Sequence, residues 1–279
     1  MAVKAPSNRA RLTLAEAPAA TYVVGDVHGE VRLFDELETL IREDAAKAAP
    51  DAPILLVAVG DVIDRGPASA SMLDRLVERT NDGLERISLL GNHEAMFLEF
   101  LEAPDGKAPW LRYGGRETLM SYGMSPDPVL GFDLSSRALR QLVDSHVPAS
   151  HVELLRSMPV SLRLPGYLIC HAGVNPTAQL ARQSDDDLIW GNPHDLDSAP
   201  FNSAAVVDLI THRLMVVHGH VPERRAEKWD RRIGVDTGAY ATGRLSAVRL
   251  SPNQEPVFLH VGGGDGQDVE AEDLALDKG

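Results

Sequence analysis

Three apolar runs in the first hundred residues are each followed by a polar turn and then by a helical repeat. The runs are Tyr22–Val24, Ile54–Val59 and Arg86–Leu90. After each turn, apolar residues recur every three or four positions, which is typical of an amphipathic helix. The spacing predicts helices over about residues 31–49, 68–80 and 95–101. Three successive strand–turn–helix units indicate a layered α/β protein with parallel strands.

Further apolar runs in the second half of the chain also end in polar turns. Residues 168–170 lead into His171, residues 214–217 lead into His218 and His220, and residues 233–235 lead into Asp236. Two later runs, 245–250 and 257–261, are typical of closing antiparallel strands.

The segments between and around these runs predict the domain organisation. Short apolar groups separated by Gly and Pro over residues 102–165 predict a helical cap inserted into a single domain, 20–261. Residues 1–19 are rich in Ala and Pro, and we expect a flexible N-terminal arm. Residues 262–279 are Gly-rich and acidic, and we expect a disordered tail.

Composition narrows the class of protein. The chain is 44% hydrophobic and 24% charged, as in soluble globular proteins. We expect no membrane span, because no apolar run approaches 18 residues. We expect no secretory signal, because the first twenty residues contain charges and Pro but no continuous apolar region. A net charge of −14 argues against nucleic acid or an anionic membrane as partner. The single cysteine, Cys170, excludes an intramolecular disulfide and fits a reducing compartment, so we expect a cytoplasmic protein. The oligomeric state stays open.

Polar side chains at the ends of five strands are the candidate site. They are Asp26, His28, Asp61, Asp64, Asn92, His93, His171 and His220. Any one of these turns is ordinary turn chemistry, but their joint occurrence after apolar strands argues for a site. Carboxylate, imidazole and carboxamide ligands without thiolate suit Mn, Fe or Zn, and there are enough for two ions. Two ions can act as a clamp in displacement at phosphorus, and the planar guanidinium of Arg65 suits phosphoryl oxygens.

These turns carry a family resemblance. Gly25-Asp26-Val27-His28-Gly29, Gly60-Asp61-Val62-Ile63-Asp64-Arg65-Gly66 and Gly91-Asn92-His93-Glu94 resemble the signature motifs of the phosphoprotein phosphatase family within the calcineurin-like metallophosphoesterases. His171-Ala172-Gly173 and Gly219-His220-Val221-Pro222 resemble its two later histidine motifs. The likeness spans about residues 20–250 and is greatest to bacterial and phage serine/threonine phosphatases. It implies a four-layer α/β/β/α sandwich.

The resemblance also implies roles for individual residues. Asp26, His28 and His220 would hold a first metal, Asp61 would bridge to a second, and Asn92 and His171 would complete the second. His93 would be the general acid, oriented by Asp64, while Arg65 grips the phosphate. The implied cofactors are two divalent ions, with Mn2+ expected and Fe or Zn as alternatives. The implied reaction is in-line attack of a metal-bridging hydroxide on phosphoserine or phosphothreonine, so the partner would be a phosphorylated protein or a small phosphoester.

Two alternatives accompany this hypothesis. A related subfamily hydrolyses symmetrical bis(5'-nucleosyl) tetraphosphates, although Asp64, Arg65 and Glu94 favour the protein phosphatases. The other alternative is a non-catalytic, metal-binding regulatory module. One departure from the family is that Gly191-Asn192 follows Trp190 where a second phosphate-binding arginine is often found, so Asn192 or an arginine from elsewhere would substitute. His218 is expected to pack behind His220.

Overall fold

The structure of the chain is a computed structural model that describes residues 9–78, 83–124 and 136–263. The strands are β1 Arg11–Thr13, β2 Ala20–Val24, β3 Ile54–Ala58, β4 Leu84–Ser88, β5 Ser161–Leu164, β6 Tyr167–Cys170, β7 Met215–His218, β8 Glu227–Lys228, β9 Arg232–Gly234, β10 Arg244–Leu250 and β11 Val257–Gly262. The α-helices are α1 Val31–Ala48, α2 Ser69–Val77, α3 Asn92–Glu102, α4 Gly115–Ser121, α5 Ser136–His146, α6 Ala149–Ser157, α7 Asp185–Trp190, α8 Asp195–Ser198, α9 Ala204–His212 and α10 Ala239–Thr242. Short 3-10 helices span Pro109–Arg112 and Leu180–Arg182.

The strands form two sheets whose parallel strands end together. One sheet has the order β11-β10-β2-β3-β4, and Val24, Ala58 and Ser88 lie side by side on its three parallel strands. The other has the order β1-β5-β6-β7-β9-β8, in which β6, β7 and β9 are parallel. Register therefore aligns three carboxyl ends in each sheet, which is the edge where α/β folds place ligands.

Alternation along the strands produces the layers. Val23 and Val57 pack with Ile169 and Val217 in a core between the two sheets. Their neighbours Tyr22, Val24 and Leu56 join a second core on the other side of the sheet, where α1 to α3 lie. Successive side chains of these strands point to opposite faces of the sheet, and because both faces are buried the strands are continuous apolar runs in the sequence. The four-layer α/β/β/α fold implied by the sequence is confirmed.

The structure differs from the sequence prediction at the start of α3. The helix begins at Asn92 rather than at Ala95, so Asn92, His93 and Glu94 form its first turn. Gly91 is extended at the N-cap, and its N–H donates to a carboxylate oxygen of Glu94 at 2.9 Å. The Glu94 side chain thus accepts a hydrogen bond from the backbone at the start of the helix, which stabilises the motif in helical conformation.

Two predicted segments contain strands that local patterning did not indicate. Residues 11–13, in the predicted arm, form β1, which pairs in parallel with β5. The predicted cap, 102–165, holds α4, α5 and α6 but ends in β5, a strand of the second sheet. Both depend on pairing between residues far apart in sequence. Residues 1–8 of the arm, 264–279 of the tail, 79–80 of the second predicted helix and 125–135 of the cap lie outside the described residues.

Across the described ranges, no helix is both long enough and apolar enough to cross a membrane.

Candidate metal centre

Six strand ends from the two sheets deliver polar side chains to one buried junction. From the first sheet, β2 leads to Asp26 and His28, β3 to Asp61, and β4 to Asn92 and His93. From the second, β6 leads to His171, β7 to His220 and β9 to Asp236. All of these side chains are buried except that of His220, which is partly buried. The structure thus brings the six candidate ligands predicted from the sequence to one junction.

Asp61 lies at the centre of the junction. Its Oδ2 is 3.3 Å from His171 Nε2 and 3.8 Å from the Nε2 atoms of both His28 and His93. Two groups of possible ligand atoms share this carboxylate, His28–Asp61–His93 and Asp61–His171–His220, and within each group the atoms lie within 4.8 Å of one another. A carboxylate shared by two groups is suited to a position between two cations.

Asn92 and Asp26 complete the junction. The Oδ1 of Asn92 is 2.9 Å from His171 Nε2 and 3.1 Å from His220 Nδ1. Asp26 accepts the backbone N–H of His220 at 3.1 Å and 3.2 Å. The first sheet is therefore linked directly to the second across the site.

Backbone strain is concentrated here. His28, Asp61, Asp64, Arg65 and His220 have φ of 47°, 49°, 70°, 65° and 70°, in the left-handed region that non-glycine residues rarely adopt. They make up five of the eight such non-glycine residues in the described chain. Each costs on the order of 1–3 kcal/mol, so the surrounding structure must hold these turns in place.

Glycines permit the close approach of backbone to the carboxylates. A Cβ at Gly91 would lie 2.1 Å from Asp61 Oδ1, and one at Gly219 would lie 2.0 Å from Asp26 Oδ1. Neither position has room for a side chain.

Burial and mutual repulsion disfavour the ionised form of three carboxyl groups at the junction. Burial raises the pKa of Asp26 well above its usual value, and the charges of Asp236 and Asp61 add to the shift. Burial and the Asp61 charge raise the pKa of Glu94 to about 7, and burial is the main cause that raises the pKa of Asp236 to about 6. A divalent cation would remove this repulsion, so the donor set fits a metal.

The pKa values of Asp61, His28 and His220 are lowered, whereas those of the carboxyl groups just described are raised. Burial opposes ionisation of Asp61, but His171 and His93 outweigh it and hold the pKa well below the usual range. Burial, with repulsion from His171, lowers the pKa of His220 to about 3. Burial, with repulsion from His93, lowers the pKa of His28 well below its usual value. An ionised carboxylate beside neutral imidazoles is the protonation state that metal ligands require.

His93 and Asp64 form a buried pair. His93 Nδ1 is 2.7 Å from Asp64 Oδ2, and the same carboxylate accepts Trp110 Nε1–H at 2.6 Å and the Thr118 hydroxyl at 2.6 Å. Burial by itself would lower the pKa of His93, but Asp61 and Asp64 outweigh it and the pKa is raised. The other ring nitrogen, Nε2, faces Asp61 and lies 3.4 Å from the guanidinium of Arg65.

Arg65 is held at the mouth of the junction. Its Nη1 donates to the Tyr240 hydroxyl at 2.6 Å, and its guanidinium lies 4.7 Å from the centre of the same ring. Its backbone N–H donates to Gly114 O at 3.3 Å. The side chain is thereby fixed beside the His93 imidazole.

Glu94, Asp236, Trp110, Thr118 and Tyr240 contribute to the site, but the sequence prediction gave them no role. Asp236 follows an apolar strand, as the other candidates do, and that signal could have found it. Glu94 accepts backbone N–H groups of Asp61 and Val62, both at 2.8 Å. Glu94 belongs to the signature motif Gly91-Asn92-His93-Glu94, but only the three-dimensional structure reveals its contacts.

The side chains of two residues left open by the sequence make hydrogen bonds to residues outside the two ligand groups. His218 Nδ1 is 2.9 Å from Gly219 O, and its Nε2 is 3.3 Å from Arg232 Nη1. Asn192 is exposed, and its side-chain oxygen accepts the N–H of His194 at 3.1 Å.

Comparison with known proteins places the chain in a family. The model of the calcineurin-like phosphoesterase family matches residues 20–249. The chain belongs to this family, which confirms the resemblance seen in the sequence motifs and makes the protein a member of a class of metal-dependent hydrolases.

Individual relatives carry two kinds of name. The chain is 28% identical over 247 residues to "Serine/threonine-protein phosphatase 2" of Escherichia coli, covering 88% of this chain and 99% of the relative. It is 25% identical over 246 residues to "Bis(5'-nucleosyl)-tetraphosphatase PrpE [asymmetrical]" of Bacillus thuringiensis, covering 85% and 92%. A crystal structure described as a putative diadenosine tetraphosphatase superposes with a TM-score of 0.59 at 23% identity, covering 92% of this chain and 100% of that one. That likeness shows the fold.

Proposed function

We propose that this protein is a metal-dependent phosphomonoesterase whose substrates are phosphoserine and phosphothreonine in proteins. The observation that carries the proposal is the His93–Asp64 pair, joined at 2.7 Å beside the carboxylate and imidazole junction. A junction that only bound metal would have no need of a buried histidine with a raised pKa next to an arginine. The coarser assignment, a phosphoesterase of the calcineurin-like family, rests on the family match.

The metal ligands proposed are those that converge on Asp61. The motif resemblance assigns His220 to the same ion as Asp26 and His28, but in the structure His220 groups with Asp61 and His171, and its Nδ1 lies 3.1 Å from Asn92 Oδ1. Asp26 and His28 would therefore help to hold one ion, Asn92, His171 and His220 would hold the other, and Asp61 would serve both. Oxygen and nitrogen donors without sulfur suit Mn2+, the metal we propose, and accept Fe or Zn. When bound, such ions supply positive charge that polarises phosphoryl oxygens and acidifies water. Asp236 is close enough to affect the pKa of Asp26, so it is a further candidate around the first ion.

His93 is proposed as the proton donor to the leaving oxygen. Its Nδ1 is engaged by Asp64, so a proton on Nε2 points toward the junction. The carboxylate fixes the tautomer and stabilises the imidazolium, as a general acid requires. Arg65, held by Tyr240, would bind the equatorial phosphoryl oxygens with its planar fork.

Leaving-group dependence distinguishes a proton donor from a metal ligand at His93. The variant H93N is assayed with Mn2+ on a phosphoserine peptide and on p-nitrophenyl phosphate. We expect a loss of about 10²–10⁴-fold with the peptide and a much smaller loss with p-nitrophenyl phosphate, because nitrophenolate leaves without protonation. Equal losses on both substrates would assign His93 to the metal instead.

Two further variants and a control complete this test. D61N and R65A should each lower activity on both substrates, because Asp61 and Arg65 are proposed to act on every phosphoester. R182A changes an exposed arginine on the 3-10 helix Leu180–Arg182 and should behave as wild type. Undiminished hydrolysis of p-nitrophenyl phosphate by D61N and R65A, together with undiminished hydrolysis of the phosphoserine peptide by H93N, would refute the proposal.

A second candidate function is hydrolysis of dinucleoside polyphosphates, of which the symmetrical tetraphosphates are one type. It is favoured by the likeness to the Bacillus protein, which spans most of both chains. Specific activity on diadenosine tetraphosphate and on a phosphopeptide, measured in one assay, would decide between the two. Phosphate binding by the metal-loaded protein without turnover of any phosphoester would favour a regulatory module.

A further inference from the structure

A cleft of about 650 Å³ opens beside Arg65, on the side of the cap. Its walls include Arg65, Arg112, Arg116, Glu117 and Tyr240. Arg65 and Tyr240 belong to the candidate centre, so the cleft is continuous with the place where the phosphate is proposed to bind. The remaining lining comes from the segment between Pro109 and Ser121, outside the signature motifs.

Arg112 and Arg116 are both exposed. No ion pair joins either side chain to a carboxylate anywhere in the described ranges, whereas Arg42, Arg75 and Arg86 all pair with Glu38. Among the described residues that line the cleft, Glu117 is the one acidic residue, against three arginines. In a chain of net charge −14 this cleft is a local site of positive charge, and such a site attracts anions.

The cap segment is fixed tightly against the centre. Gly114 accepts the backbone N–H of Arg65, and a Cβ at Gly114 would lie 2.4 Å from that nitrogen. A Cβ at Gly115 would lie 2.4 Å from the Trp110 ring, and Trp110 in turn donates to Asp64. Since Gly114 stands two residues from both Arg112 and Arg116, these two cations are held next to Arg65.

We propose that the Arg112–Arg116 cleft binds an acidic side chain adjacent to the phosphorylated residue of a peptide substrate, so that the enzyme prefers acidic phosphopeptides. This rests on the proposed function. The cleft is open and its two arginines are exposed, which suits a peptide that lies across the surface rather than a ligand that is enclosed. No arginine follows Trp190, where the family often has a second phosphate-binding one. The cleft supplies arginines from another part of the chain, but we propose that they bind a neighbouring carboxylate and not the phosphate.

The test compares two phosphoserine peptides that differ only in whether the flanking residues are aspartate or alanine. The quantity measured is the ratio of kcat/KM for the acidic peptide to that for the neutral one. In the wild-type protein we expect a ratio of about 5–20, the product of the modest effects of two exposed charge contacts. In R112A/R116A the ratio should fall to about 1, and R112E/R116E should favour a lysine-flanked peptide.

A matched control removes two exposed arginines that do not line the cleft. R137A/R182A should keep the wild-type ratio, because Arg137 and Arg182 lie on other elements. High salt should also abolish the preference, since the Debye length is only about 3 Å at about 1 M salt. Thermal unfolding of each variant checks that it is folded.

Several outcomes would overturn the inference. If wild type hydrolyses both peptides at equal rates, or if R112A/R116A keeps the preference, the cleft does not select acidic substrates. If the double variant loses activity only on diadenosine tetraphosphate, the cleft serves a nucleotide. If the wild-type protein hydrolyses no phosphopeptide at all, the proposed function is wrong, and this inference, which rests on it, is wrong as well.

Discussion

The buried carboxylate of Glu94 should be essential to the stability of the loop that carries Asp61. Glu94 is fully buried, and its two oxygens accept four backbone N–H groups. Oε2 accepts from Asp61 at 2.8 Å and Gly91 at 2.9 Å, while Oε1 accepts from Val62 at 2.8 Å and Ile63 at 3.3 Å. One side chain thus joins the strained turn after β3 to the first turn of α3.

The substitution E94Q isolates this role. Glutamine has nearly the same shape, but one of its terminal atoms is an NH2 group that cannot accept a hydrogen bond. Two of the four N–H groups would then be unpaired in the interior, whichever way the amide is turned. At about 1–3 kcal/mol for each unpaired buried donor, the free energy of unfolding should fall by about 2–6 kcal/mol. At about 2–4 °C per kcal/mol, the melting temperature should fall by at least about 4 °C.

Chemical denaturation followed by fluorescence measures the change. E153Q makes the same substitution at an exposed glutamate in α6 and should stay within about 0.5 kcal/mol of wild type. Either orientation of the amide breaks hydrogen bonds to the loop that carries Asp61, at Asp61 itself or at Val62 and Ile63, so E94Q should also need more Mn2+ for half-maximal activity. An E94Q protein as stable as E153Q would refute the reasoning, because it would mean that those four donors are satisfied without the carboxylate.

Three further predictions address other parts of the structure. W110F removes the indole N–H that donates to Asp64 but keeps an aromatic ring, and should cost about 2–4 kcal/mol of unfolding free energy. W190F, at a half-exposed tryptophan, should cost much less; equal melting temperatures for the two would contradict the Trp110–Asp64 bond. Cys170 is fully buried and burial raises its pKa to about 12, so a thiol reagent at neutral pH should label it only after denaturation. In metal-free protein, the pKa of Asp236 is raised to about 6, above its unfolded value, so the stability it contributes is present at low pH and is lost as pH rises through about 6. D236N should remove that part of the pH dependence, and overlapping stability profiles for D236N and wild type between about pH 4 and 7 would contradict it.

Local sequence accounts for the elements that carry the ligands. The runs Tyr22–Val24 and Ile54–Val59 are apolar throughout because β2 and β3 are buried on both faces, and this made them recognisable. The polar residues that follow the strands stood out because they occur jointly, after several apolar strands in succession, whereas any one such turn is ordinary turn chemistry. That rule found Asp26, Asp61 and His171, and applied to β9 it would also have found Asp236.

The contacts that tune those residues were decided by the tertiary structure. Trp110 reaches Asp64 across 46 positions, and Tyr240 reaches Arg65 across 175. The edge strand β1 forms only because β5, about 150 residues later, offers its free edge. Periodicity and turn chemistry report on neighbours within a few positions, whereas these contacts depend on how two sheets pack. The sequence alone therefore determined which residues could serve as ligands, and the packing of the sheets decided which other side chains hold them in place.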